Sequence, residues 1–506
     1  MVETPLAARV AAAMEFDEAD FDGRVEAEAD RLKSAVADGT FDSPDATAGM
    51  EYEFYAVDET SALARVPRDL LDTVGFEKEL GIHNAEMQVR PRPLTPRGLA
   101  AQEAEVKANV AAAQTWADVE GLRLVSDGVW TIPPSGTTAA QYLCDYIEED
   151  GVQIAANMSE SVRHHVMSNP SGDREEVASG MRIDLPNASL SADTVLPQSL
   201  ITSTQFHYRV PQATRLPTYF RYALRVAGPL LALAANSPFV PPDLYDDDAD
   251  PEAVVDDAWV ENRIPVFETV MNRPDDSPGK VRFPKDLEST AEAIDRIVAD
   301  RTVVPLSTES ADPDGEFAHF QLKRGTYWRW VRPVFDGETE AGANVRIEFR
   351  PVPAQPTVED AFSFQAAFAG LLTGLASGDH PVGDLDWETA EENFYAATRD
   401  GLDADLTWIT ADGTETRDAG ELYDDLFAAA REGLELRGFS DGRIAEYLRP
   451  LRRRADDGTT PAEWKRREVR ERLRGGASLK AAVHGMQRSY VDRQTGTLLD
   501  GSFPAE

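Results

Sequence analysis

The sequence predicts an α+β fold built on an open antiparallel sheet. Three observations carry that reading. Short segments at 50–57, 84–90, 200–210, 327–334 and 344–350 have the alternation or β-rich composition of strands. Long apolar stretches at 219–235 and 358–375 have helical length and composition. Up to about residue 405 strands and helices follow one another without βαβ regularity, which argues against a parallel sheet.

Residues 1–48 form a polar, alanine-rich preamble with helical spacing at 6–14 and 25–36. The first strand, Met50-Glu51-Tyr52-Glu53-Phe54-Tyr55-Ala56-Val57, alternates acids with bulky residues. The second, at 84–90, runs into Thr95-Pro96, where threonine can cap and proline can open a helix over 97–119. A further strand is expected at 123–130, and short helices at 141–150 and 160–167. The helix at 219–235 should stop at Asn236-Ser237-Pro238, and 243–257 should be an exposed acidic segment. After the strands at 327–334 and 344–350, prolines break the chain, and helices follow at 358–375 and 391–401. Residues 410–506 read as several helices with short joins, one opened by the capping box Thr460-Pro461-Ala462-Glu463. The expected organisation is a preamble (1–48), an α+β domain (49–408) and a helical C-terminal extension (409–506).

The net charge is −40, from 90 acidic and 50 basic residues spread along 506 positions. Self-repulsion of that size is relieved by salt, so the surface reads as adapted to a saline cytoplasm. It also argues against a nucleic-acid partner. One cysteine, Cys144, precludes an intrachain disulfide and suits a reducing compartment. Cys144 lies in an apolar-rich stretch and reads as a packing residue rather than a nucleophile. No basic segment leads into an apolar core at the start, and the apolar run at 226–235 is too short to span a bilayer. The expected location is therefore cytoplasmic, with no membrane partner.

Glu51 and Glu53 sit at i and i+2 of a strand and so share one face. Two neighbouring carboxylates repel, and a hard divalent cation such as Mg²⁺ or Mn²⁺ relieves the repulsion. Glu86, His207 and Glu348 are further lone ligand candidates, each inside a strand-like segment. Arg346, Glu348 and Arg350 also share a face, and Arg332 ends the preceding strand. Arginine grips phosphoryl oxygens bidentately. Acids for metal and arginines for phosphate are the equipment of phosphoryl transfer. Neither GxxxxGK[ST] nor GxGxxG occurs, so a nucleotide site must be of another type.

These stretches, in this order, resemble the glutamate–cysteine ligase type 2 family, the carboxylate–amine ligases. The resemblance rests on Gly49-Met50-Glu51-Tyr52-Glu53-Phe54, Ala85-Glu86-Met87-Gln88-Val89, Thr204-Gln205-Phe206-His207-Tyr208 and Leu231-Ala232-Leu233-Ala234-Ala235-Asn236-Ser237-Pro238-Phe239. It continues through Val331-Arg332-Pro333, Ile347-Glu348-Phe349-Arg350 and the helix from Asn393 through Arg399 to Gly401-Leu402. It covers about 49–408, and with the acidic composition the resemblance is to a haloarchaeal-type member.

The resemblance implies a glutamine-synthetase-like curved antiparallel sheet with helices packed on one face. It implies an ATP-dependent ligase that activates a carboxylate, the γ-carboxylate of glutamate in the best-known members, as an acyl phosphate for attack by an amine. Glu51, Glu53, Glu86, His207 and Glu348 would hold Mg²⁺. Arg332 and Arg350 would steady the phosphoryl group, with Asn393 and Arg399 bracing the site or touching substrate. The partners implied are small molecules, an amino acid and an amine, and a homo-oligomer is compatible with this reading. A non-catalytic metabolite-binding relative and a metal-dependent amide hydrolase are the alternatives. The family's Gly-Thr-His-Pro segment is replaced here by Ser126-Asp127-Gly128-Val129-Trp130-Thr131-Ile132-Pro133-Pro134, which leaves the acid and amine open.

Overall fold

The computed structural model describes residues 4–15, 17–169, 181–272, 278–303 and 315–503. Its centre is a seven-stranded, wholly antiparallel curved sheet. The strands are β1 (Thr47–Val57), β2 (Phe76–Lys78), β3 (Asn84–Pro93), β4 (Arg123–Val125), β5 (Thr204–Arg209), β6 (Val331–Glu338) and β7 (Ala341–Phe349). Their order is β6-β7-β5-β1-β3-β2, and β4 takes over the edge of β1 beyond β5.

The alternation in these strands divides the sheet into two faces. Met50, Tyr52 and Phe54 of β1 are buried, as are Phe206 and Tyr208 of β5 and Val345, Ile347 and Phe349 of β7. These side chains pack on the helix Val358–Gly378, with Phe349 stacked on Phe368 at 4.4 Å between centroids and Phe206 on Phe364 at 6.5 Å. Thr357 caps that helix by accepting from the Asp360 amide at 3.0 Å. It is the one helix among the described residues long and apolar enough to cross a membrane, and 89% of its apolar window is buried inside the protein. Its apolar surface is spent on the sheet and on the C-terminal helices.

The helix at Pro96–Val119 forms as its cap predicts, with Thr95 accepting from the Gly98 amide at 3.1 Å. The expected helix at 219–235 instead forms as two, Leu216–Arg225 and Ala227–Ala234. Pro229 has no amide hydrogen, and its ring opposes the Arg225 carbonyl four residues back, which places the break there. Four helices follow residue 418: Ala419–Leu436, Asp441–Asp457, Pro461–Arg474 and Leu479–Thr497. The first crosses Val358–Gly378 with the backbones in contact; a Cβ on Gly433 would lie 1.9 Å from the Gly370 carbonyl oxygen. The third opens at Thr460, which accepts from the Glu463 amide at 3.3 Å. Buried ion pairs tie these helices inward: Arg454 to Asp360 at 2.9 Å, and Lys465 to Asp127.

Three local expectations are corrected. The strand expected at 123–130 ends at Val125, because the following amides bond elsewhere: Ser126 to the Gln494 side chain at 3.0 Å and Trp130 to the Leu200 carbonyl at 3.3 Å. The helix expected at 141–150 is Ala139–Cys144, followed by a hairpin of Tyr146–Glu149 and Val152–Ala155. The hairpin turns at Asp150-Gly151, both at positive φ, which an Asp-Gly pair favours. The segment 243–257 is not wholly exposed: Leu244, Val254 and Val255 are buried.

Candidate active site

The register brings the polar residues of five strands onto the face opposite the helix Val358–Gly378. Glu53 pairs across with Glu86, Glu51 with Gln205 and Gln88, His207 with Glu348, and Glu348 with Arg332. Side chains of cross-strand partners lie on the same side of a sheet. Glu51, Glu53, Glu86, His207, Glu348 and Arg332 are therefore one surface, and Arg350, two residues beyond Glu348, joins it.

The surface has an arginine-rich half. Arg332 holds Glu348 bidentately, Nε to Oε1 at 2.8 Å and Nη2 to Oε2 at 3.1 Å. Arg350 Nη1 donates to the same Oε1 at 2.5 Å, while its buried Nε has no partner. Burial alone would push the Glu348 carboxyl up, but Arg332 and Arg350 hold it well below the usual range. Burial is opposed at Arg350 by Glu348, Glu51 and Glu53, which keep its pKa raised. Arg324 is depressed to about 10 by burial and by Arg332 and Arg346, and Arg163 is lowered by burial and Arg332. Arg163 and Arg324 thus belong to the same cationic cluster.

The other half is acidic. Burial and the neighbouring Glu51, Glu79 and Glu53 raise Glu86 well above the carboxylate range. Burial, then Glu53, raises Glu79 to about 7. Glu53 accepts from the Ser203 amide at 2.7 Å, the Ser203 hydroxyl at 2.8 Å and Gln205 Nε2 at 3.0 Å. Even so, burial outweighs Arg263 and these bonds and leaves its pKa raised. Arg263 is itself brought down to about 10 by burial, offset by Glu53 and Glu261. Glu51 joins the two halves: burial raises it, but His207, 3.3 Å away, and Arg350 bring it below its ordinary value.

Glu53, Glu79 and Glu86, each raised chiefly by burial, and Glu51, held ionised by His207 and Arg350, form a donor set of four carboxylates suited to a divalent cation. Gln205 Oε1 is a buried acceptor without a partner on the same surface. Among the described residues, however, no three His, Cys, Asp or Glu side chains are grouped as they stand to hold an ion. The bonding explains this for two of the five expected ligands. Glu348 is saturated by Arg332 and Arg350. His207 Nδ1 accepts from Arg346 Nε at 3.0 Å, so a neutral ring carries its proton on Nε2, facing Glu51. For Nε2 to take a metal, Arg346 must release Nδ1.

Asn393 and Arg399 stand apart from this bonding. Asn393 is buried, and its amide clamps the Thr407 backbone at 2.8 and 2.9 Å. Arg399 is exposed. Glu79, Arg163, Arg263 and Arg324 carry no comparable signal in the sequence. Glu79 lies seven residues before Glu86 in an acid-rich stretch, and the arginines lie on or beside helices, where no period-2 signal marks them.

The family model described as Glutamate-cysteine ligase family 2 (GCS2) matches residues 47–495. The chain belongs to this family. It is thereby an ATP-dependent carboxylate–amine ligase in family and fold. The match runs through most of the C-terminal helices, in keeping with the buried Lys465–Asp127 pair that joins them to the segment beyond β4. A sequence comparison with curated proteins finds no match. Among solved structures, the chain is similar to glutamate–cysteine ligase from Francisella tularensis in complex with AMP, at 12% identity and a TM-score of 0.49, covering 91% of each chain. It is similar to a bifunctional glutathione synthetase from Pasteurella multocida at 11% identity and a TM-score of 0.48, covering 92% of this chain and 54% of that one. It is also similar to the complex of the prokaryotic ubiquitin-like protein Pup and its ligase PafA, at 10% identity and a TM-score of 0.41, covering 92% and 77%.

Proposed function

We propose that the two-halved sheet face is the active centre of this ligase. The supporting observation is the juxtaposition of four mutually repelling carboxylates with an arginine cluster on one surface. Glu51, Glu53, Glu79 and Glu86 would hold Mg²⁺, with Mn²⁺ as a substitute, and Glu348 and His207 would join once their arginine partners turn to phosphate. A bound Mg²⁺ supplies charge neutralisation for the phosphates of ATP. Arg350 Nε, buried and unpaired, is the donor that meets the moving phosphoryl group, and Arg332 steadies the same group once it releases Glu348.

In the reaction, a carboxylate oxygen of the acid attacks the γ-phosphorus and ADP leaves. The amine nitrogen then attacks the acyl carbon. Phosphate departs with the oxygen that came from the carboxylate, and the nitrogen loses one proton. The acid proposed is glutamate through its γ-carboxylate, and cysteine is the first amine to test. Residues 49–408 are proposed as the catalytic domain, between the preamble 1–48 and the helices of 409–506. Asn393 acts as a brace for that domain through Thr407. The acidic surface fits a cytoplasm of high salt, as in a haloarchaeal-type member, with small molecules as partners.

The test is an ADP-release screen in molar KCl with Mg²⁺, crossing glutamate and related acids with a panel of amines, and mass spectrometry of the products. ADP formation that needs both an acid and an amine, with the matching amide as product, is expected. Amide cleavage without ATP would replace this reading with a hydrolase.

A further inference from the structure

A cavity of about 280 Å³ lies beside the acid face, and none of the acids of that face lines it. The two share a wall. Gly81, Ile82 and Asn84 line the cavity, while Glu79 and Glu86, on either side of that stretch, belong to the acid face. The size is at the small end for ligand sites and suits a metabolite.

The chemistry of the lining is divided by position. Val66, Ile82, Ile154 and Met158 give the cavity an apolar body. Arg65, Arg68 and Lys78 are exposed around its mouth; among the described residues one acid, Glu160, lines it, 3.5 Å from Arg68. Deeper in are two polar side chains without the partners their burial calls for. Asn84 is 4% exposed, and neither its Oδ1 nor its Nδ2 is bonded. His165 is 1% exposed; its Nε2 meets the Ser159 carbonyl at 3.1 Å, so Nε2 carries the proton and Nδ1 is a bare acceptor without a partner. Asn84 Oδ1 packs against Gly81, where an added Cβ would sit 2.4 Å from it. Buried polar atoms left unbonded are costly and rare, and three of them around one cavity mark a site that is completed by an occupant.

We propose that this cavity binds an aliphatic α-amino acid at a site separate from the acid face. The carboxylate meets the cations of the mouth, the ammonium donates to Asn84 Oδ1 and His165 Nδ1, and the side chain fills the apolar body. An occupant steadies 81–84, and through it Glu79 and Glu86. The proposal does not rest on the ligase reading, because binding is read without turnover.

Isothermal titration of the full chain in molar KCl tests it, with L-leucine, 4-methylpentanoate (no amine) and 3-methylbutylamine (no carboxylate). L-leucine binds saturably, and each truncated analogue binds at least about tenfold more weakly, since each leaves buried or charged groups unpaired. Ala155→Trp, which fills the cavity, abolishes binding. Lys78→Glu, an exposed change that folding tolerates, weakens it by about fivefold or more through the lost cation. Glu51→Gln leaves leucine affinity within about twofold, since the acid face is not the site. No saturable heat, which would mean a merely hydrated cavity, overturns the proposal. So does equal affinity for all three ligands, unchanged binding in Lys78→Glu, or loss of binding in Glu51→Gln.

Discussion

Arg350→Lys separates a phosphoryl clamp from a structural ion pair. Arg350 gives one N–H to Glu348 at 2.5 Å and leaves Nε buried without a partner. Lysine keeps the charge and can keep that one bond, so the change in stability should be about 1 kcal/mol. What lysine lacks is the second donor of a planar fork. A preorganised donor aimed at charge that develops in a transition state is worth about 2.7–4 kcal/mol, or about 10²–10³ in kcat. The effect on apparent ATP affinity should be much smaller, because the contact tightens during transfer. The assay is ADP release at saturating acid, amine and ATP across a Mg²⁺ titration, normalised to the folded fraction from near-UV circular dichroism. If folded Arg350→Lys turns over within about threefold of the unaltered chain, roughly 0.7 kcal/mol of barrier, the clamp role is wrong.

Glu79→Gln removes one of four crowded carboxylates, so more Mg²⁺ should be needed for half-maximal activity; an unchanged Mg²⁺ requirement would exclude Glu79 from the metal set. Glu268 accepts from Trp330 Nε1 at 2.7 Å and from the Tyr395 hydroxyl at 2.8 Å, and burial raises its carboxyl to about 7. Its contribution to stability is full below the ordinary carboxylate pKa and is lost as pH rises through about 7, so Glu268→Gln should flatten the fall of melting temperature between pH 5 and 8. Lys465→Met leaves Asp127 buried and uncompensated at 0% exposure, and should cost about 3–5 kcal/mol in urea unfolding. With a net charge of −40, the melting temperature should rise between low and molar KCl, and a flat profile would count against a salt-adapted surface.

Much of the sheet was legible because its signal is local. Period-2 alternation in β1, β5 and β7 separates Tyr52, Phe206 and Phe349 from Glu51, His207 and Glu348, and the structure keeps that division. Caps were legible for the same reason, as Thr95 and Thr460 show. What escaped depends on long-range partners. The strand beyond Val125 is lost to Gln494, a residue 368 positions away, and no local pattern announces that. The break before Pro229 and the Asp150-Gly151 hairpin did carry local signals, which apolarity and helical length overshadowed. On the proposed site face, residues of regular strands carry a sequence signal and off-sheet ones do not. Arg163 and Arg324 reach the cluster from helices, while Glu79 looks like any other acid in a chain with 90 of them. Asn393, a brace or substrate contact by resemblance, has its side chain bonded to Thr407, a partner no local pattern announces.

On the proposed reading, this face passes a phosphoryl group to a carboxylate before an amide forms. The direct measurement uses the acid substrate labelled with ¹⁸O in both carboxylate oxygens, together with ATP, Mg²⁺ and the amine. Inorganic phosphate is then analysed by mass spectrometry after a limited turnover. Acyl phosphate formation predicts one ¹⁸O in each phosphate released, one ADP for each amide, and loss of both in Glu51→Gln. Phosphate without ¹⁸O, or AMP and pyrophosphate in place of ADP, would contradict it.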